Sequence, residues 1–192
     1  LLISNLCLLV ALITLYKLVR FDFDEAIASR TVLYSLIFPT SLFFSAIYTE
    51  ALFLALSVLA FYLLRRQRWV VAGLMGFLAA LTRPTGILLL IPFLFEFLSQ
   101  KRFQIRKLGK VLLAAVLIVL GLGAYMAYLH FAVGDALAFA HAQSSTFGRR
   151  GFLPGVALVK FLRHPAVHNP QASMIDFSMM LFALFVLLPD IF

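Results

Sequence analysis

The ten residues Val111-Leu112-Leu113-Ala114-Ala115-Val116-Leu117-Ile118-Val119-Leu120 decide the fold class. They hold no polar break and no in/out alternation, so they cannot be the strand of a membrane barrel, whose lumen-facing positions must be polar. The surrounding stretch 108–132 is long enough to cross a hydrocarbon core, which takes about 20 apolar residues in a helix. Leu88–Leu98 likewise shows no in/out alternation. Across the chain 64% of residues are apolar and 12% charged, and the charges fall in short clusters between apolar runs. That punctuation predicts an all-α, polytopic membrane bundle and leaves no room for a large water-soluble domain.

Working outward, seven apolar segments can be drawn, at 1–19, 31–48, 50–64, 69–82, 86–99, 108–132 and 174–191. Three are short for a straight span, and either the flanks snorkel or 50–64 and 69–82 penetrate incompletely; the expectation is that all seven span. Lys17, Arg20 and Arg30 lie between the first two segments, Arg65, Arg66 and Arg68 between the third and fourth, and Lys101, Arg102, Arg106, Lys107 and Lys110 between the fifth and sixth. Seven alternating spans put these loops on one side, with 11 of the 16 Lys and Arg residues. The positive-inside rule makes that side cytoplasmic. Tyr48-Thr49-Glu50, Arg83-Pro84-Thr85-Gly86 and residues 134–173 then face outward, the last as a loop with short interfacial helices within a single membrane domain over 1–192. The first of these pieces is expected at Ala136–Gln143, with Asp135 as N-cap after Gly134, and a second near Val156–Leu162.

The net charge of +8 resides in loop clusters, with no basic stripe or recognition motif, so no nucleic-acid partner is expected; membrane lipids are. The single Cys7 excludes an internal disulfide. The chain opens inside an apolar run with neither an initiator Met nor a signal-peptide n-region, so a fragment is expected, with more chain before Leu1. No internal repeat of the transporter type is found.

The ionisable residues at hairpin tips carry the functional question. Glu50 and Arg83 each stand at the outer end of a predicted hairpin, and charges at membrane depth are functional candidates. Ser41, Ser45 and Tyr48 form a polar stripe leading to Glu50. The structural alternative stays open: Thr49 and Glu50 suit the start of one helix, Arg83 the end of the next, and Pro84 the opening of a third. Asp135 and Gln143 belong to the outer stretch, and Arg149-Arg150 is a guanidinium pair suited to phosphate oxygens or to lipid headgroups. Asp22-Phe23-Asp24 has a metal-binding spacing but falls in a loop assigned to the cytoplasm, and reads as a solvated charge run. His164 and His168 lack a third ligand and are broken up by Pro165 and Pro170, so no metal site is assigned. Glu96 and Asp190 are expected to snorkel to the inner interface.

The ordered set Phe38-Pro39-Thr40-Ser41-Leu42-Phe43-Phe44-Ser45-Ala46-Ile47-Tyr48-Thr49-Glu50-Ala51-Leu52-Phe53, Leu81-Thr82-Arg83-Pro84-Thr85-Gly86, and Gly134-Asp135 with Phe139, Ala142-Gln143 and Arg149 resembles the GPI mannosyltransferase II family and its bacterial relatives. The likeness runs over roughly residues 1–155. It implies a GT-C membrane glycosyltransferase, working at the periplasmic face of a bacterial plasma membrane or the lumenal face of the endoplasmic reticulum. Such an enzyme moves a sugar, typically mannose, from a polyprenyl- or dolichyl-phosphate donor to a lipid or glycan acceptor with inversion. It further implies a catalytic acidic residue in a first outer loop, expected before Leu1. No cofactor is expected beyond the lipid-phosphate sugar as substrate, with a divalent metal left open. Tyr48, Glu50, Arg83, Asp135, Gln143 and Arg149 are the substrate-binding candidates, Arg83 and Arg149 for the donor phosphate. Phe147 stands where the resemblance leads us to expect Trp, which puts stacking there in doubt. The residues also admit a transporter or flippase, which calls for polar groups and broken helices at mid-depth, and a non-catalytic membrane subunit, in which replacing Glu50 or Arg83 disturbs assembly rather than turnover.

Overall fold

A computed structural model describes residues 1–38, 41, 44, 48–99 and 105–145. Among the described residues every regular element is helical and there is no strand. The helices are α1 (Leu2–Val19), α2 (Glu25–Ile37), α3 (Glu50–Arg65), α4 (Trp69–Thr82), α5 (Leu90–Ser99), α6 (Ile105–Val133) and α7 (Ala138–Ser145), with a 3-10 turn over Pro84–Leu89 ahead of α5. The chain divides into two units, Leu1–Leu137 and Ala138–Phe192; of the second, only α7 is described.

Local chemistry explains the boundaries. α2 starts before the apolar run begins, because the Asp24 carboxylate accepts the Ile27 amide at 2.8 Å and Glu25 complements the positive end of the helix. Asp24 is therefore an N-cap and not merely part of a charge run. The helix stops at Phe38, whose extended ψ of 134° is what a following proline demands. The expected 31–48 span is thus described only as far as Phe38, apart from Ser41, Phe44 and Tyr48. α3 ends in a three-residue turn to α4: Arg68 N–H reaches Leu63 O at 2.9 Å, Gln67 N–H reaches Leu64 O at 2.8 Å, and Gln67 adopts φ 60°. This is the hydrogen-bond pattern of a helix stop that usually carries glycine at the left-handed position. The expected 86–99 helix is divided, since Pro84 opens a 3-10 turn and regular α-helix resumes only at Leu90.

α4 lies at the centre, packed on α3, α6 and the 3-10 turn. Its inward face is small: Ala72, Gly73, Gly76, Ala79 and Ala80 are buried. A Cβ added at Gly73 would lie 2.6 Å from the Ala114 Cα, and one at Gly121 of α6 would strike the Phe77 carbonyl. Small residues let these two backbones touch, the means by which helices associate where no water drives them together. Pairing of 73 with 114, 76 with 118 and 77 with 121 proceeds in the same sense along both chains, so α4 and α6 run parallel. Trp69, 2% exposed, closes the far end of this core edge-on against Phe93 and Phe97.

The outside is apolar. Leu2, Phe95 and Phe131 are exposed to 81%, 70% and 87%, a surface a water-soluble monomer does not carry in such quantity. Among the described residues two helices, Leu2–Val19 and Leu108–Val133 within α6, are long and apolar enough to cross a membrane. Trp69–Thr82 and the segment Pro84–Leu98 are apolar but shorter.

Candidate functional site

The short turn between α3 and α4 makes them an antiparallel hairpin of nearly equal arms, 16 and 14 residues. The start of α3 therefore returns beside the end of α4. Arg83 occupies the junction. Its amide closes α4 on Ala79 O at 2.9 Å, its carbonyl accepts from Gly86 N–H at 2.9 Å, and its own backbone is extended at φ −147°, ψ 136°. Gly86 allows this fold-back: a Cβ there would sit 2.5 Å from both the Ala80 Cα and the Ala80 nitrogen.

Held so, the Arg83 guanidinium meets the first residues of α3. Nη2 donates to Glu50 Oε1 in an ion pair, and Nε donates to Thr49 Oγ1 at 3.3 Å. The Glu50 side chain is 23% exposed and that of Arg83 38%. Glu50 Oε2 is buried and has no hydrogen-bond partner among the described residues. A buried carboxylate oxygen left unpaired costs free energy, of the order of 1–3 kcal/mol or more for a charged group. Thr49 stands at the N-cap position of α3 but its hydroxyl makes no capping bond. The hydroxyl serves Arg83 instead.

The opposite end of α3 carries a second charged group. Arg65 bridges Asp22, from the turn between α1 and α2, and Glu96 of α5 at 3.6 Å. Beside it the Arg66 guanidinium lies 5.4 Å from the Phe21 ring centre and 5.3 Å from that of Tyr62. Asp22 and Glu96 are thus partners in a clasp between elements, with Asp22 still half exposed. The length of α3 separates the two ends by about 24 Å, and Glu50 and Arg83 stand at the end away from the clasp.

Tyr48 lies exposed two residues before Glu50. Asp135 follows the end of α6, and because α6 runs parallel to α4 it is at the Arg83 end of the bundle. Its carboxylate accepts the Leu137 amide at 2.9 Å, a local turn following Gly134 at φ 79°. The helix after it begins at Ala138 rather than at Ala136, so Asp135 shapes the turn instead of capping the helix. Gln143 falls on α7, its side chain outside the described residues. Arg149, Arg150, Phe147, His164, His168, Asp190, the Val156–Leu162 piece and the 174–191 segment also lie outside them. Among the described residues no cluster of three or more His, Cys, Asp or Glu side chains could hold a metal ion.

Sequence comparison places this helical bundle in a known class. Residues 1–128, two-thirds of the chain, match the family described as dolichyl-phosphate-mannose-protein mannosyltransferase, and the chain belongs to that family. The chain is also 37% identical over 98 residues to a GPI mannosyltransferase 2 of Yarrowia lipolytica (strain CLIB 122 / E 150). That alignment covers 50% of this chain and 28% of the relative, so the chain spans well under half the length of the curated protein it resembles. No solved structure matches.

The ion pair unites two of the sequence candidates, Glu50 and Arg83. Sequence reasoning passed over Thr49 as Arg83's second acceptor. Its signal was present: two helices of matched length on a three-residue turn set position 83 against positions 49 and 50 together.

Proposed function

We propose that this chain is part of a multi-span GT-C mannosyltransferase that takes its sugar from a polyprenyl- or dolichyl-phosphate donor on the extracytoplasmic side of the membrane. Family membership supports the reaction class. The observation that carries the site is the Glu50–Arg83 pair at the bundle end opposite the clasp of Arg65 with Asp22 and Glu96. In this reading the seven segments span the membrane, the clasp faces the cytoplasm, and Arg83 lies at the level where a lipid's phosphate emerges from the hydrocarbon.

Transfer breaks the bond between the anomeric carbon and the donor phosphate oxygen and forms one to the acceptor hydroxyl oxygen. The hydroxyl proton passes to a base, and the negative charge of the departing phosphate has to be stabilised. Arg83 supplies that stabilisation. Glu50 Oε1 holds Arg83 in place for that role. Tyr48, Asp135, Gln143 and Arg149 are carried as further substrate-binding residues on the sequence resemblance alone, Arg149 as a second cation for the phosphate. The base is assigned to the acidic residue of a first outer loop that the family resemblance implies. The acceptor is a lipid or a glycan.

The test is Arg83→Ala in the intact protein, assayed for mannose transfer from polyprenyl-phosphate mannose in membranes with equal expression. A loss of about a hundredfold is expected, the scale of removing one preorganised donor to a developing negative charge. Wild-type turnover would remove Arg83 from the site.

A further inference from the structure

The structure assigns Thr49 as the positioning residue that selects which edge of the Arg83 guanidinium meets a phosphate, an inference that rests on the donor-site reading above. A guanidinium offers two bidentate edges: a side edge made of Nε–H with one Nη2–H, and an end edge made of Nη1–H with the other Nη2–H. Here the side edge is spoken for at both points, Nε by Thr49 Oγ1 at 3.3 Å and Nη2 by Glu50 Oε1. Glu50 alone would fix one corner of the plane and leave the group free to swing about it. The second contact, from the adjacent residue on the same helix start, removes that freedom.

The end edge is what remains. Among the described residues Nη1 has no hydrogen bond, and the Arg83 side chain as a whole is 38% exposed. Two oxygens of a phosphate monoester or diester match its spacing. Thr49 can serve in this way because its hydroxyl is not used as a helix cap, while its carbonyl continues the helix by accepting from Phe53 N–H at 2.9 Å. A valine of the same shape would therefore keep the start of α3 and lose only the acceptor. Serine would keep it.

The experiment uses the intact protein, purified in detergent, and a short-chain polyprenyl phosphate as the probe, with equilibrium binding as the readout. Thr49→Val is expected to raise Kd about fivefold, the effect of losing one hydrogen bond to a charged group at a part-exposed position. Thr49→Ser is expected to restore binding to within about twofold of wild type on the same scale. Introduced on top of Arg83→Ala, Thr49→Val should add nothing. The inference is overturned if Thr49→Val binds like wild type while Arg83→Ala does not, which leaves the donor site standing without Thr49. Equal weakening by valine and serine also overturns it, since the hydroxyl would then not be the cause. If Arg83→Ala itself leaves Kd unchanged, the donor-site reading fails and the role of Thr49 fails with it.

Discussion

Replacing Gly86 with alanine tests the link between packing and site most severely. The new Cβ would lie 2.5 Å from the Cα and the nitrogen of Ala80 and 2.7 Å from the Ala79 carbonyl carbon. All of these are backbone atoms of the last turns of α4, so no side chain can rotate away. Carbon atoms rest at about 3.5–4.0 Å, so the 3-10 turn has to retreat by about 1 Å. Overpacking of this kind costs about 1–3 kcal/mol. The displacement falls on the site because Gly86 N–H holds the Arg83 carbonyl. A misplacement of about 1 Å in a catalytic group is worth on the order of a hundredfold in rate. The assay is mannose transfer by the intact protein, with thermal unfolding in detergent measured alongside. Gly123→Ala is the control: its Cβ would meet nothing within 4 Å, and alanine there should be neutral or gain up to about 1 kcal/mol in helix propensity. Wild-type stability and turnover in Gly86→Ala would refute the claim that close backbone approach sets Arg83.

Two further perturbations probe the opposite end of α3. Arg65→Ala removes both links of the clasp and should cost about 1 kcal/mol in thermal unfolding, a modest figure because the Arg65 and Asp22 side chains are 37% and 51% exposed and screened by water; a change smaller than experimental error would show that the clasp contributes nothing. Gln67→Gly relieves a left-handed residue, φ 60°, and should raise stability by about 0.5–1 kcal/mol, readable as an increase in Tm; a fall in Tm would show that the Gln67 side chain matters more than its backbone.

Much of the scaffold was legible because membrane helices announce themselves by unbroken hydrophobicity. The 69–82 segment has the bounds of α4, and 108–132 lies within α6. Boundaries went astray where a cap or a proline outweighs hydropathy. α2 begins at Glu25, among charges, because Asp24 caps it, and the 86–99 segment is divided because Pro84 starts a tighter turn. Position along the chain was enough to bring Glu50 and Arg83 to hairpin tips. Rotation about a helix axis is a different quantity, and hydropathy carries little of it when a helix is apolar on every side. Hence Thr49 was read as part of a helix start, and Asp22 and Glu96 as separate charges rather than as the two partners of Arg65. That register is set by the glycine and alanine contacts of α4, whose consequences emerge only when the backbones are brought together.

The central claim is that the Glu50–Arg83 end of the bundle opens to the extracytoplasmic side, where a lipid-borne sugar can reach it. It is tested most directly by single cysteines at the exposed positions Thr85 and Phe23, one at each end, in an intact protein whose native cysteines, Cys7 among them, are replaced by serine. A membrane-impermeant maleimide applied from outside should label Thr85→Cys and spare Phe23→Cys until the membrane is opened. Labelling of Phe23→Cys from outside, with Thr85→Cys reached only from the cytosol, would contradict the account.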